Sequence, residues 1–132
     1  CDRHQDAKLA PTPNSPLRSL FLQTLVYFSS SIQTAFQQDY HPYRFADKIE
    51  DEVGAQRRGQ KRLMETLRII DDQIGDNKWI LGECFSAADI YLYMLTTWLK
   101  PSREHPEVSN FPNVQRIAQQ TGVRHSVKLV YG

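Results

Sequence analysis

The sequence contains little that would support a metal centre, a disulfide framework or a membrane span. Its two cysteines, Cys1 and Cys84, make no disulfide pattern, and no two of its four histidines have metal-ligand spacing. No apolar run approaches the length of about 20 residues that a bilayer requires. The net charge of +1 gives no strong field toward nucleic acid. Phosphate-loop and serine-nucleophile motifs are also absent. These absences favour a protein of the reducing cytoplasm, with no metal, nucleic acid or membrane partner and with histidines on the surface or in loops.

Apolar residues at helical spacing dominate the rest of the chain. With 132 residues and 40% apolar content, one domain with a substantial core is expected. The periodicity predicts an all-α fold with helices at about 16–38, 47–74, 87–99 and 112–122. For the tail, residues 123–132, the pattern allows either a strand-like or a helical segment.

The two predicted N-terminal helices carry recognisable boundary signals. Ser15 is a good N-cap, and Pro16 suits the first helical position. Gly75 suits the end of the second helix, whereas Gly54 and Gly59 inside it mark either a close backbone approach or a bend. Asp71 and Asp72 are expected to lie at a solvated helix end. The buried stripe of the second helix is predicted to contain Ile49, Val53, Leu63, Met64, Leu67, Ile70 and Ile74.

Residues 85–90 contain the start signals of the third helix. Ser86 and Asp89 have the spacing of a capping box, in which the Ser86 hydroxyl accepts the backbone N–H of Asp89 and the Asp89 side chain accepts the backbone N–H of Ser86. Phe85 and Ile90 occupy the positions of a hydrophobic staple. The helix that follows is apolar on nearly every side, which predicts a buried central helix and a structural role for Ser86 and Asp89.

The aromatic residues allow two interpretations. Several tyrosines and phenylalanines, with Trp98, are concentrated on two predicted helices and one loop. They either pack the core or line an apolar pocket that offers polar groups to a ligand.

The stretch Trp79-Ile80-Leu81-Gly82 followed by Phe85-Ser86-Ala87-Ala88-Asp89 resembles the buried-helix signature of the C-terminal domain of cytosolic glutathione transferases, chiefly the bacterial ones. Phe111-Pro112-Asn113-Val114 resembles a later helix start of the same family. The resemblance implies an orthogonal helical bundle over residues 14–132. It also implies that residues 1–13 are the remnant of an interdomain linker, and that the thioredoxin-like N-terminal domain is absent from this chain.

The resemblance also implies a function. In the family, the thioredoxin-like domain holds most of glutathione, and the helical domain binds a hydrophobic electrophile. Trp98 matches a tryptophan that faces the electrophile pocket in the beta class, whereas Gln33 and Val26 replace a histidine and an asparagine of that class. Tyr27 and Gln33 are therefore expected, with Trp98, to contact the substrate. We expect no catalytic residue in this chain.

The family resemblance also suggests a homodimer and a role in detoxification, and the parent protein is expected to be a glutathione transferase. The isolated chain is expected to bind glutathione weakly and to be almost inactive. Two alternatives remain: a transferase-like module used for protein assembly, and an unrelated helical ligand-binding domain.

Overall fold

A computed structural model describes residues 3–131. Cys1 and Asp2, at the start of the predicted linker, and Gly132, at the end of the predicted tail, lie outside the described residues. Between residues 3 and 131 the chain forms no strand, only isolated bridges between Trp79 and Gly82 and between Leu81 and Cys84. The predicted all-α class is confirmed, with helices α1 Arg18–Tyr27, α2 Gln33–Tyr40, α3 Glu52–Ile74, α4 Ala87–Thr97, α5 Pro112–Gly122 and α6 His125–Tyr131.

The predicted first helix is interrupted rather than continuous. A π-helical segment, Phe28–Ile32, separates α1 from α2. The hydroxyls of Ser29 and Ser30 both donate to the carbonyl oxygen of Val26, at 3.0 and 2.7 Å, so these serines bond back to the preceding turn. The start of the helix is also later than predicted. Ser15 Oγ accepts the N–H of Leu17 in a turn that precedes α1.

The buried face of α3 begins later than the apolar pattern predicted. Ile49 and Val53 are 84% and 64% exposed, because Ile49 precedes the helix in a 3-10 turn and Val53 lies in its first turn, beyond the core. Gly59 marks a close approach to α2. A Cβ atom there would lie 2.8 Å from the backbone nitrogen of Asp39 and 3.0 Å from the carbonyl oxygen of Ala35. A Cβ at Gly54 would lie 3.7 Å from Arg58 Nη1, an ordinary contact, so the close approach concerns Gly59 alone. The fully buried apolar residues of α3 are Ala55, Leu63, Leu67, Ile70 and Ile74.

Helix α4 is less completely buried than its apolar sequence suggested. Ala88, Asp89, Leu92 and Leu95 are buried, while the remaining residues from Ile90 to Leu99 are half-buried. The N–H of Ala87 donates to the carbonyl oxygen of Leu9 at 2.7 Å, which fastens the N-terminal segment to the start of this helix.

The end of α3 and the start of α5 are joined by a buried carboxylate. Asp71, predicted to be solvated, is only 8% exposed, and its Oδ1 accepts the N–H groups of Asn113 and Val114 at 2.7 and 2.9 Å. A residue of α3 thus caps the N-terminus of α5, which has no side-chain cap of its own. Only Asp72 remains exposed as predicted.

The tail adopts the helical alternative, as α6. Val127 is buried, whereas Leu129 and Val130 are about three-quarters exposed (74% and 76%). The core itself lies between α1, the π-helical segment, α2, α3, α4 and α5, together with the turn around Trp79 and Leu81.

Candidate functional site

A groove lies between α2 and the end of α4. Two hydrogen bonds define how these helices lie together. Tyr91 Oη donates to Gln33 Oε1 at 2.6 Å, and Tyr40 Oη donates to the carbonyl oxygen of Trp98 at 3.2 Å. In both bonds the partner lies 58 positions away along the chain, so α2 and α4 run side by side in the same direction. The α2–α4 groove between them has a volume of about 430 Å³ and is lined by Gln33, Phe36, Gln37, Tyr40, His41, Thr97, Trp98 and Lys100.

Aromatic rings form much of the groove wall. The Phe36 ring meets the Trp98 ring edge-on, with 5.6 Å between centroids, and stacks on the Tyr40 ring at 6.4 Å. Phe36 is buried, and Trp98 is half-buried at the point where α4 ends. Both predicted interpretations of the aromatics therefore apply, because Phe36 packs in the core and also contributes to the groove. Such a wall suits a flat apolar ligand.

Gln33 follows directly after the π-helical segment and faces α4. Its amide oxygen accepts the Tyr91 hydroxyl, and no bond joins its amide nitrogen to another of the described residues. Burial raises the pKa of Tyr91, so this hydroxyl stays protonated and able to donate. Gln33 also lines the groove, so its amide is a candidate donor to a ligand there.

Tyr27 lies away from the α2–α4 groove. Its hydroxyl donates to the carbonyl oxygen of Thr66 on α3, at 3.2 Å, and burial raises its pKa. The geometry gives Tyr27 a structural contact between α1 and α3. Of the three residues predicted to contact the substrate, the structure brings together Gln33 and Trp98.

The capping box at the start of α4 is present in both directions. Ser86 Oγ accepts the N–H of Ala88 at 3.2 Å, and Asp89 Oδ2 accepts the N–H of Ser86 at 2.8 Å. Asp89 Oδ1 also accepts the N–H of Ile80 at 3.0 Å, which ties the preceding turn to the helix. Burial of the carboxyl group raises the pKa of Asp89 despite these bonds. Neither Ser86 nor Asp89 lines the groove, so their role here is to position α4.

A buried polar cluster behind the groove was not predicted from the sequence. Asp39, at the end of α2, has no exposed surface. Its Oδ2 accepts Arg103 Nε at 2.8 Å and lies 2.8 Å from His105 Nε2. Its Oδ1 accepts the side-chain amides of Gln56 and Gln60 from α3, each at 3.2 Å. We call these five residues the Asp39 cluster.

The charges of the Asp39 cluster are internally balanced. Burial of Asp39 by itself would raise its pKa, but the hydrogen bonds from Arg103, His105 and Gln56 outweigh that effect, and the pKa is lowered. His105 Nδ1 accepts the backbone N–H of Lys100 at 3.0 Å, so its proton is on Nε2, pointing at Asp39. His105 lies in a loop, as predicted, but it is buried rather than on the surface.

The Asp39 cluster determines where the edge of the groove lies. Arg103 and His105 belong to the loop after α4, and both bond to α2 through Asp39. The Lys100 amide is held by His105, and the Lys100 carbonyl oxygen accepts the N–H of Arg103 at 2.9 Å. The one residue in the sequence that pointed to this cluster was Gly59, whose missing side chain lets the backbone of α3 approach Asp39.

A second groove, of about 850 Å³, lies along the N-terminal segment. It is bounded by residues 5–12 on one side and by Leu81, Phe85 and Arg124 on the other. The Arg124 guanidinium lies 3.8 Å from the Phe85 ring centroid and so covers that ring. None of the three predicted contact residues lines it. Across residues 3–131, no three His, Cys, Asp or Glu side chains are grouped as a metal site would require.

The family comparison matches half of the chain. The model described as "Glutathione S-transferase, C-terminal domain" matches residues 53–118. This span contains most of α3, all of α4 and the first seven residues of α5. No curated protein matches the chain by sequence.

Solved bacterial structures share the fold over almost the whole chain. A glutathione transferase homologue from Sulfitobacter, with bound glutathione, superposes with a TM-score of 0.82 at 22% identity, over 95% of this chain and 59% of that one. The ternary complex of BphK, a bacterial GST, gives 0.80 at 25% identity, over 97% and 60%. A beta-class glutathione S-transferase from Sphingomonas chungbukensis gives 0.77 at 26% identity, over 97% and 59%. The chain thus spans about three-fifths of the length of these proteins.

Proposed function

The chain belongs to the glutathione S-transferase C-terminal domain family, and from this premise we propose that it is the electrophile-binding half of a glutathione transferase-like protein. In such a protein the glutathione thiol first loses its proton, and the thiolate then forms a carbon–sulfur bond to a hydrophobic electrophile while the bond from that carbon to its leaving group breaks, as when chloride leaves 1-chloro-2,4-dinitrobenzene. The helical half contributes the surface on which the electrophile lies.

The α2–α4 groove is the observation that supports this proposal most directly. It combines the aromatic wall of Phe36, Tyr40 and Trp98 with a few polar groups, among them Gln33. Apolar pockets with a small number of polar groups are typical of small-molecule sites. An assembly module has no need of a groove with this composition, and the groove therefore favours the transferase over that alternative.

The groove holds no group that would activate a thiol by itself. His41, the one histidine in its lining, is exposed at the end of α2. Cys84 is a free, exposed thiol in the turn before α4, outside the groove. We therefore propose that thiolate activation and most glutathione binding belong to a thioredoxin-like domain of the parent protein, to which residues 1–13 connect, and that this chain alone is almost inactive.

Exposed apolar side chains support a homodimer. Leu22 and Val26, one turn apart on α1, are 46% and 62% exposed, and Ile69 on α3 is 54% exposed. Exposed apolar surface is typical of interaction sites. No helix within residues 3–131 has the length and apolar character needed to cross a membrane. A cytoplasmic protein for detoxification is the setting we propose.

The experiment that tests the proposal is an NMR titration of the chain with 1-chloro-2,4-dinitrobenzene, with and without glutathione. We expect shift changes at Gln33, Tyr40 and the Trp98 indole, and conjugation at the uncatalysed rate. Trp98→Ala should weaken binding several-fold, because it removes one aromatic wall. The control Tyr131→Ala, an aromatic residue on α6 outside the groove, should leave binding unchanged.

Two results would contradict the proposal. Binding that leaves the groove resonances unmoved would favour the assembly module. Rapid conjugation by this chain alone would show that it does not depend on a second domain.

A further inference from the structure

The α2–α4 groove contains a positive charge that no acidic residue balances. Lys100 is its only lysine or arginine, and none of the eight lining residues is an aspartate or glutamate. Among the described residues, no carboxylate oxygen lies within 4.0 Å of Lys100 Nζ, whereas Lys48 and Lys61 both have a glutamate within that distance. The groove therefore has a net positive character at the end where Lys100 lies.

The nearest acidic side chains do not remove this imbalance. Asp39 is fully buried, and both of its carboxylate oxygens already accept hydrogen bonds within the Asp39 cluster. Glu104 and Glu107 line a different groove, together with Arg57 and Lys61. These two acidic and two basic side chains compensate each other's charges within that groove.

The backbone of Lys100 is fixed, which distinguishes it from an ordinary surface lysine. Its backbone N–H donates to His105 Nδ1. Its carbonyl oxygen accepts the backbone N–H of Arg103 at 2.9 Å and that of His105 at 3.4 Å. Glu104 adopts the left-handed conformation, with φ of 60°, that closes this turn. A non-glycine residue in that region persists when its surroundings hold it there. The Asp39 cluster supplies that constraint, so the start of the Lys100 side chain has a defined position beside Trp98.

Lys100 and Gln33 lie toward opposite ends of the groove. Gln33 is the first residue of α2 and Tyr40 the last, which separates them by roughly 10 Å along the helix axis. Tyr40 bonds to Trp98, two positions before Lys100, so Lys100 belongs to the Tyr40 end. The aromatic wall of Phe36 and Trp98 lies between the two polar groups.

We propose that the groove selects aromatic electrophiles that carry a carboxylate or a similar anionic group, with Lys100 as the residue that determines this specificity. The proposal rests on the proposed function of the groove and names the class of substrate within it. The aromatic body of the ligand lies against Phe36 and Trp98, and its anionic group lies at the Lys100 end. The anion pairs with the ammonium group, while Gln33 donates to an acceptor at the opposite end, such as a nitro group.

A matched pair of unreactive ligands tests the proposal. The chain is titrated with 4-nitrobenzoate and with 4-nitrobenzamide, which have the same shape but differ in charge, and binding is followed by NMR. We expect the carboxylate to bind about fivefold more tightly than the amide, equivalent to about 1 kcal/mol. Exposed ion pairs contribute at most about this much, and the preference should decline as salt is added.

Two lysine variants complete the experiment. Lys100→Gln should abolish the preference for the carboxylate, because it removes the positive charge that pairs with the anion. Lys128→Gln, on α6 and outside the groove, should retain the wild-type preference.

The outcomes separate this inference from the proposed function. If the amide binds in the groove but the carboxylate binds no better, or if Lys100→Gln retains the preference, the inference is wrong and the proposed function stands. If neither ligand moves the groove resonances, the electrophile site itself is wrong, and the specificity assigned to Lys100 fails with it.

Discussion

Asp39 and Asp89 are both completely buried aspartates, and they differ in how far along the chain their partners lie. Asp89 bonds to Ser86 and Ile80, which are 3 and 9 positions away. The partners of Asp39 lie between 17 and 66 positions away, on α3 and in the loop after α4. The first carboxylate starts a helix, whereas the second joins three separate parts of the fold.

The two carboxylates also differ in charge environment. Asp89 accepts bonds from backbone N–H groups and a hydroxyl, none of which carries a formal charge, and burial raises its pKa. Asp39 is buried as well, but the Arg103 cation and the other donors of the Asp39 cluster lower its pKa. Burial alone therefore does not decide the direction of the shift, because a charged partner such as Arg103 opposes it at Asp39 and none does at Asp89.

The largest effect that separates the two sites is expected from Asp39→Ala. Removing the carboxylate leaves Arg103 and His105 without their acidic partner, and breaking a buried pair in this way costs about 3–5 kcal/mol. Urea unfolding measures the loss. Asp72→Ala, an exposed aspartate on α3, should change the free energy of unfolding by less than about 0.5 kcal/mol. A loss below about 1 kcal/mol in Asp39→Ala would show that the cluster does little to hold the loop.

Gly59→Ala tests the backbone contact that brings α3 to Asp39. The new Cβ would meet backbone atoms of α2 at 2.8–3.1 Å, and backbone cannot rotate away as a side chain can. We expect a loss of about 1–3 kcal/mol in urea unfolding. The matched control is Gly54→Ala in the same helix, where the nearest atom to the new Cβ is Arg58 Nη1 at 3.7 Å and alanine should stabilise by up to about 1 kcal/mol. Equal effects of the two substitutions would contradict a specific close approach at Gly59.

Ser86→Ala tests the capping box at the start of α4 separately from the Asp39 cluster. Loss of the hydroxyl that accepts the Ala88 N–H should cost about 1 kcal/mol, the usual value for an N-cap. Ser19→Ala, at an exposed position inside α1, provides the comparison and should not destabilise the fold. A cost as large as that of Asp39→Ala would mean that the local cap and the long-range cluster are equally important.

The pH dependence of stability gives the smallest and most specific contrast. The lowered pKa of Asp39 means that the unfolded chain binds its proton more readily, so the stability from Asp39 is present above its unfolded pKa of about 3.9 and is lost as pH falls through the folded value. The raised pKa of Asp89 has the opposite effect on the pH dependence of stability. Its contribution is greatest below about pH 3.9 and declines as pH rises through the folded value.

Urea unfolding across a pH series reads out this contrast. Compared with the wild type, Asp39→Asn should lose less stability on acidification below about pH 4, and Asp89→Asn should lack the component that weakens above that pH. Changes of the same sign in both variants would contradict the opposite shifts.

Much of the fold was predictable because its signals are local. Ser86 and Asp89 lie three residues apart, and Gly75 directly follows the last residue of α3, where it adopts a φ of 50°. Local spacing also indicated the apolar faces of α3 and α5. The same reasoning failed for Ile49 and Val53, because periodicity shows which face of a helix is apolar but not how far the core extends along it. The π-helical segment was missed for a related reason, since a change of helical period at Phe28–Ile32 leaves no distinct pattern in the residues.

Local patterns in the sequence were enough to predict the all-α class and the start of α4, and the resemblance to the transferase family indicated Gln33 and Trp98 as candidates for contact with a ligand. The packing of the helices was needed to show that Gln33 and Trp98 share a groove, that Tyr27 lies outside it, and that Asp39 and Asp71 are buried acceptors. The physical reason is the range of the interactions. A capping box is complete within four residues, whereas a buried carboxylate such as Asp39 is stabilised by donors from distant segments, which only the packing of the helices brings together.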